Sequence, residues 1–206
     1  MALAPVVRTS RGPLGRPRFA IKPYPKEWER HTTLRDGTTI LIRPLRPEDE
    51  SLYAPFFAAV TKNDVRLRFF APVKKFDHAF LARLTHIDYG RAMAFIALDD
   101  SSGRMLGVVR LHANANNDTA EYAILVRSDL KGRGLGWLLM QMITDYAHAE
   151  GVHALEGPVL RENTTMLAMC KELGFDIIAD PNDVAICIAK LTILKKIGCT
   201  NDSMGS

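Results

Sequence analysis

The chain has 206 residues, 47% hydrophobic and 24% charged, a balance suited to one soluble domain with a sizeable core and room for a tail. No apolar run approaches the ~18 residues that a membrane span needs, and Ala2–Val7 is too short and too Pro-interrupted to be a signal-peptide core. The net charge of +4 is local: residues 1–35 hold eight Arg and Lys against two Glu, so the rest of the chain is slightly acidic, which gives nucleic-acid binding by a folded body little support.

Residues 1–26 read as a basic linker, punctuated by Pro5, Pro13, Pro17, Pro23 and Pro25 with no periodic apolar pattern. The Arg-rich start has the charge of a transit peptide, but its prolines and glycines oppose the amphipathic helix such peptides form. Residues 27–195 are expected to be the folded domain and 196–206 a flexible tail. Cys170, Cys187 and Cys199 make no C-x-x-C pair and have no histidine at zinc-ligand spacing, so no metal is expected. A sparse, odd number of cysteines fits a reducing cytoplasm.

In chain order, a hairpin comes first: Glu29–Leu34 and Thr38–Pro44 joined by Asp36-Gly37, whose glycine can take the positive φ of a tight turn. Arg46-Pro47-Glu48-Asp49 has the early proline and acids of a helix start. Helical segments follow at about Asp49–Val60, Asp64–Phe69 and Asp77–Leu84. Strands Ala92–Leu98, Met105–Ala113 and Thr119–Val126, joined by short polar turns, predict an antiparallel meander. The strongest helix is Leu135–Glu150, with apolar residues at Leu135, Leu138, Leu139, Met142, Ile143, Tyr146 and Ala147 in steps of three and four. Strand Ala154–Val159, helix Asn163–Leu173 closed by Gly174, and strands Phe175–Ala179 and Val184–Leu191 complete the order. The fold class is α+β: a mixed, mostly antiparallel twisted sheet with helices on both faces.

The segment Val126–Gly136 lies between a strand and the best helix. Gly132, Gly134 and Gly136 let backbone approach a ligand. The first-turn N–H groups of the next helix lack intrahelical partners and carry the positive end of its dipole, a setting that attracts pyrophosphate. Lys131 and Arg133 add charge. Neither G-x-x-x-x-G-K-[ST] nor G-x-G-x-x-G is present. A strand–loop–helix with glycines is also what a tight turn alone would need.

The segment resembles the cofactor loop of the GNAT acetyltransferase superfamily, V-x-P-x-x-[RQ]-G-x-G-[IL]-[GA], and departs from it at Ser128 and Lys131. The family's second motif, Asn, a helix, then Leu-Gly-Phe, is matched by Asn163 and Leu173-Gly174-Phe175. Within the superfamily the sequence is most similar to bacterial Pat-type protein lysine acetyltransferases, in Ala120–Gly136 and in Arg161-Glu162-Asn163 with Met166. Many of those proteins carry an acyl-CoA-synthetase-like domain upstream, and Arg18–Pro25 looks like the junction after it. The resemblance implies acetyl-CoA as co-substrate. Ile124, Leu125 and Val126 would bind pantetheine, with the Val126 N–H polarising the thioester. Lys131, Gly132, Arg133, Gly134 and Gly136 would surround the pyrophosphate, and Asn163 would meet the pantetheine arm.

An attacking lysine, with pKa about 10.4, must first lose a proton, directly or through one water, to a nearby base. Glu121 is the candidate, and its position is the general base in the Pat-type resemblance. It shares a strand face with Ala123 and Leu125, while Tyr122, Ile124 and Val126 take the other. Its apolar strand surroundings predict partial desolvation and a raised pKa; an exposed strand-face glutamate is the bland alternative. Many GNAT enzymes place a tyrosine acid seven residues after the asparagine; Cys170 stands there, a possible general acid through its thiol of ordinary pKa about 8.5, though a small core residue is its plainer reading. His78, His86 and His112 have no evident partner. Trp137 could stack on the cofactor or pack on a neighbouring segment. Glu162 could favour a helix N-terminus, and Arg66 and Arg68 read as a solvated helix face.

The function expected is acetylation of a lysine ε-amine on a protein, with AMP-forming acyl-CoA synthetases as the substrates implied by the Pat-type likeness. Acetylation of a small amine or a protein N-terminus is the alternative enzyme, and a non-catalytic acetyl-CoA sensor the alternative from another class.

Overall fold

A computed structural model describes residues 22–73 and 76–193. Eight strands form one sheet: β1 (Arg30–Thr33), β2 (Thr39–Pro44), β3 (Ala92–Asp99), β4 (Met105–Ala113), β5 (Thr119–Val126), β6 (Ala154–Leu160), β7 (Asp176–Ala179) and β8 (Ile186–Thr192). Their spatial order is β1-β2-β3-β4-β5-β6-β8-β7, antiparallel except between β5 and β6. Helices α1 (Glu50–Ala58), α2 (Lys62–Phe69) and α3 (His78–Thr85) precede β3; α4 (Leu135–Ala149) joins β5 to β6, and α5 (Thr164–Glu172) joins β6 to β7. No helix among the described residues is long and apolar enough to cross a membrane.

The period of two in each strand divides the core. In β3, Met93, Phe95 and Ala97 join the cluster under α4 and α5, whereas Ala94, Ile96 and Leu98 join the aromatic cluster of Tyr53, Phe56 and Phe57 from α1. The amphipathic stripe of α4 meets the first face through Leu135, Leu139, Met140 and Ile143, all fully buried. Helices therefore cover both faces, as the sequence predicts.

One strand pair positions the site. β5 and β6 keep parallel register only from Thr119↔Ala154 to Glu121↔Glu156 and then part. Bonds from Ile193 to His153 and from Arg161 to Ala185 turn the odd-numbered groups of β6 toward β8. Its even-numbered groups consequently face β5. The next amide that could donate into β5 after Glu156 belongs to Pro158, which has none. Gly157 sits at the fork, where a Cβ would come within 2.9 Å of the Tyr122 carbonyl oxygen and 3.0 Å of its ring.

The observed bounds differ from expectation mainly at ends: α2 starts two residues early because Thr61 caps it, its side chain accepting from the Asp64 N–H, and β8 begins at Ile186 rather than Val184. Residues 22–26, read as linker, pack on the body. Lys22 pairs with Glu150 at 2.5 Å, and Tyr24 donates to Glu29 at 2.7 Å while lying under the Arg46 guanidinium. Trp28 meets Tyr146 edge-on at 5.2 Å. Aromatic surface outweighs the local prolines there. Residues 18–21 of the expected 18–25 junction, the rest of the linker, the tail and Cys199 lie outside the described residues.

Sequence periodicity gave no sign of the buried Arg43–Asp49 pair. Its two parallel bonds of 2.7 and 2.6 Å join β2 to the turn before α1, and the Asp49 carboxylate also accepts from the Arg46 N–H at 2.8 Å. Hydrogen bonding to the Asp49 carboxylate, partly opposed by burial, raises the Arg43 pKa. Asp49→Ala leaves a buried cation without its partner, so a stability loss of about 3–5 kcal/mol is expected from urea denaturation. A loss below about 1 kcal/mol would show that water replaces the carboxylate.

Candidate active site

Beyond Glu121 the parted strands open a cleft of about 580 Å³, walled by β5, the 131–136 loop and the start of α5. The Arg127 N–H bonds to the Leu106 carbonyl at 2.9 Å. Alternation then sends the main chain of 125 and 123 toward β4 and that of Ile124 and Val126 into the gap. Of the three strand residues expected to hold pantetheine, Ile124 and Val126 thus present main-chain donors and acceptors. Leu125 turns its main chain to β4 and buries its side chain in the aromatic cluster.

The loop follows. Gly132 and Gly134 take φ of +79° and +89°, values that side chains rarely adopt. Gly134 caps α4 without any side-chain acceptor, so the first N–H groups of that helix are left open to the cleft, which Gly136 and Trp137 also line. Trp137 is 38% exposed, a flat apolar wall free to meet a ligand.

The two cations of the loop have other partners. Lys131 pairs with Asp64 of α2, and Ser128 donates to the same carboxylate and accepts from the Thr61 N–H at 2.8 Å. Both departures from the family motif therefore meet at Asp64. Burial would raise the Asp64 pKa, but bonds from Lys131, Ser128 and Thr61 outweigh it and hold the carboxyl below its ordinary range. Arg133 pairs with Asp36 of the β1–β2 turn at 2.6 Å, and the Thr38 amide with Arg133 lowers the Asp36 pKa to about 2. Arg35 also reaches the glycine turn: its Nε lies 3.5 Å from where a Gly134 Cβ would stand. Arg35 lines the cleft, yet it sits in a hairpin 99 residues before Gly134, and no sequence signal links the two.

Glu121 lies at the fork on the α1–α3 face of the sheet, opposite His112 in register. It is exposed, not desolvated as its apolar strand suggested, because its flanking Ala120 and Tyr122 bury themselves on the opposite face. Asn163 caps α5: its Oδ1 accepts from the Met166 N–H at 3.2 Å, leaving its NH2 to donate into the cleft. Cys170 is fully buried, outside the cleft wall, and burial pushes its thiol up despite the Tyr122 bond. Its Sγ is 3.3 Å from the Tyr122 hydroxyl, and Tyr122 does line the cleft. The geometry thus favours the core reading of Cys170. Arg66 is not a plain solvated residue either: it pairs with Glu162 at 2.6 Å, joining α2 to the start of α5. No group of three or more metal-ligating side chains occurs among the described residues.

An open strand edge, an uncapped helix start behind a glycine loop and a carboxylate at the fork define an acyl-group transferase site. The profile of the acetyltransferase (GNAT) domain matches residues 39–176, and the chain belongs to that family of N-acetyltransferases. An acetyltransferase of Pseudomonas aeruginosa, PA5475, is 32% identical over 163 residues, covering 78% of this chain and 88% of that protein. Acetyltransferase Pat of Mycolicibacterium smegmatis is 28% identical over 144 residues, covering 68% of this chain and 42% of Pat, so the match spans less than half of that relative's length. The crystal structure of the GNAT domain of S. lividans PAT superimposes with a TM-score of 0.76 at 26% identity, covering 82% of this chain and 99% of that domain. The Pat-type likeness read from the motifs is borne out.

The Asp64 clamp has a pH signature. A carboxyl whose folded pKa is depressed contributes stability that is complete above its unfolded value, about 3.9, and lost as pH falls through the folded value. The melting temperature of the wild type should exceed that of Asp64→Asn at neutral pH, with the gap closing below about pH 4. A gap constant down to about pH 2.5 would remove the ionised clamp from the account.

Proposed function

We propose that the protein transfers acetyl from acetyl-CoA to a lysine ε-amine on a target protein, with an AMP-forming acyl-CoA synthetase as the substrate class. The observation that carries the reading is the fork. One strand offers free amides along its edge and a carboxylate at its root, so a thioester and an amine can meet at a single point.

In this reading the Ile124 and Val126 main chain and the Asn163 amide hold the pantetheine arm in extended form. The Val126 N–H points where a thioester oxygen gathers charge, the arrangement that lowers an acyl-transfer barrier most. Loop amides and Arg35 hold the phosphates at the far end. Glu121 accepts a proton from the incoming ammonium. The neutral amine then attacks the thioester carbon, the C–S bond breaks, the CoA sulfur leaves as thiolate, and the surplus proton on the acylated nitrogen passes through water to that sulfur. Tyr122 is the hydrogen-bond donor we assign to that sulfur, steadying the thiolate as it leaves. Burial raises its pKa, so the phenol stays protonated through neutral pH, and Cys170 orients it from behind. Exposure of Glu121 supports a macromolecular acceptor, because the base can be reached without the acceptor entering a closed chamber.

The test incubates the protein with acetyl-CoA and an acyl-CoA synthetase and reads acetyl-lysine by mass spectrometry. Glu121→Gln should lower kcat about a hundredfold or more, with calorimetric affinity for acetyl-CoA unchanged. Unaltered turnover in that variant would remove Glu121 as the base. Turnover of polyamines or free N-termini alone would replace the protein-lysine reading.

A further inference from the structure

On the Glu121 face, behind the cleft, lies a cluster of polar groups in which two buried donors are unpaired. Arg110 of β4 stands between Ala94 of β3 and Ala123 of β5 in register, two small neighbours that leave room for a long side chain beneath α1 and α2. Its Nη1 is buried and unpaired, and so is the hydroxyl of Tyr53, a residue only 1% exposed. Arg68, from the last turn of α2, completes the group. Glu121 is the carboxylate whose charge reaches Arg68, and none is felt by Arg110. Burial, then repulsion from Arg110, lowers the Arg68 pKa to about 10.

An unmatched buried cation is costly, as is an unpaired buried hydroxyl. A fold that buries the Arg110 Nη1 and the Tyr53 hydroxyl side by side, both unpaired, leaves them for something that arrives. The space indicates its size. A small chamber of about 10 Å³ touches Tyr53, Arg68 and Arg110 and shares Arg68, Ala123 and Leu125 with the main cleft. That is room for about one oxygen atom, so the ligand is the tip of a molecule already seated in the cleft on the acceptor side. Loop amides, by contrast, lead into α4 on the opposite face.

We propose that Arg68 and Arg110, with the Tyr53 hydroxyl, form a carboxylate-recognition site, so that the amine acetylated at Glu121 belongs to an acceptor bearing a carboxylate close to that amine. The chamber takes one carboxylate oxygen against Arg110 and Tyr53, and Arg68, which lines both chamber and cleft, takes the other. The inference rests on the acetyl-transfer reading of Glu121 and narrows its acceptor. The carboxylate can come from an acidic residue beside a target lysine or from a free amino acid.

The test compares matched acceptors: peptides whose lysine neighbours Glu or Gln, and a free amino acid against its amide. The wild type should favour the carboxylate member of at least one pair by tenfold or more in kcat/KM. Arg68→Met should abolish the preference without changing acetyl-CoA affinity, and Arg68→Lys should restore part of it. Preference in the peptide pair assigns the site to a protein acceptor. Preference confined to the amino-acid pair upholds the site and overturns the protein-lysine reading. Equal kcat/KM within every pair overturns the inference and leaves a buried water as occupant of the chamber, while Glu121 keeps its role. Should no acceptor be turned over, the transfer reading fails. Calorimetry of the acetylated peptides then decides the site: a Glu preference lost in Arg68→Met upholds it, and no preference overturns it.

Discussion

The parting of β5 from β6 is the constraint on which the site depends. A strand edge inside a sheet normally satisfies its amides against a neighbour, and an open edge invites pairing with whatever is extended and polar. Here the neighbour is withdrawn by two residues of β6. Pro158 has no amide to give, and Gly157 allows the Tyr122 carbonyl and ring to fill the fork. Phe175 then packs edge-on against Tyr122 at 5.3 Å, and Cys170 closes behind it. β6 keeps its full-length partner in β8. The sheet therefore loses pairing on one side only, and the even-numbered amides of β5 beyond Glu121 are left open to the cleft.

The period of two in β5 allots three roles to one strand. Even-numbered main-chain groups face the gap; Tyr122, Ile124 and Val126 side chains support the α4–α5 side; Glu121, Ala123 and Leu125 look toward α1–α3. A register slip of one residue would exchange all of these at once. Donor and acceptor chemistry are consequently tied to the same backbone, which is why the carboxylate and the free amides cannot drift apart.

What could be read from the sequence follows the range of the interaction. The α4 stripe, the meander and the glycine loop were legible because their signals lie within a few residues, and the paired motifs around Gly132 and Asn163 identified the family. Asp64 was read only as a helix start, because its partners Ser128 and Lys131 are 64 and 67 residues away. Arg35 and the Arg43–Asp49 pair were hidden for a similar reason. Charge on an exposed-looking helix or hairpin carries no mark of what it will face. Glu121 was found, but its environment was misjudged: apolar neighbours in sequence bury themselves on the other face of a strand and do nothing to desolvate it.

The two departures from the family loop show how substitution can preserve a geometry by other contacts. A proline at 128 would fix the chain's exit from β5 by its ring. Ser128 fixes it instead by bonding both to Asp64 and to the Thr61 amide, and its own N–H donates to the Ala59 carbonyl at 3.2 Å. Lys131 joins the same carboxylate from the far side of the turn. The loop is thereby tied to α2, the helix that also carries Arg66 and Arg68 over the acceptor side. A rigid-body shift of α2 would move the glycine loop and the cleft wall that carries Arg68 together, so the price of losing the proline is a mechanical link between two sides of the cleft.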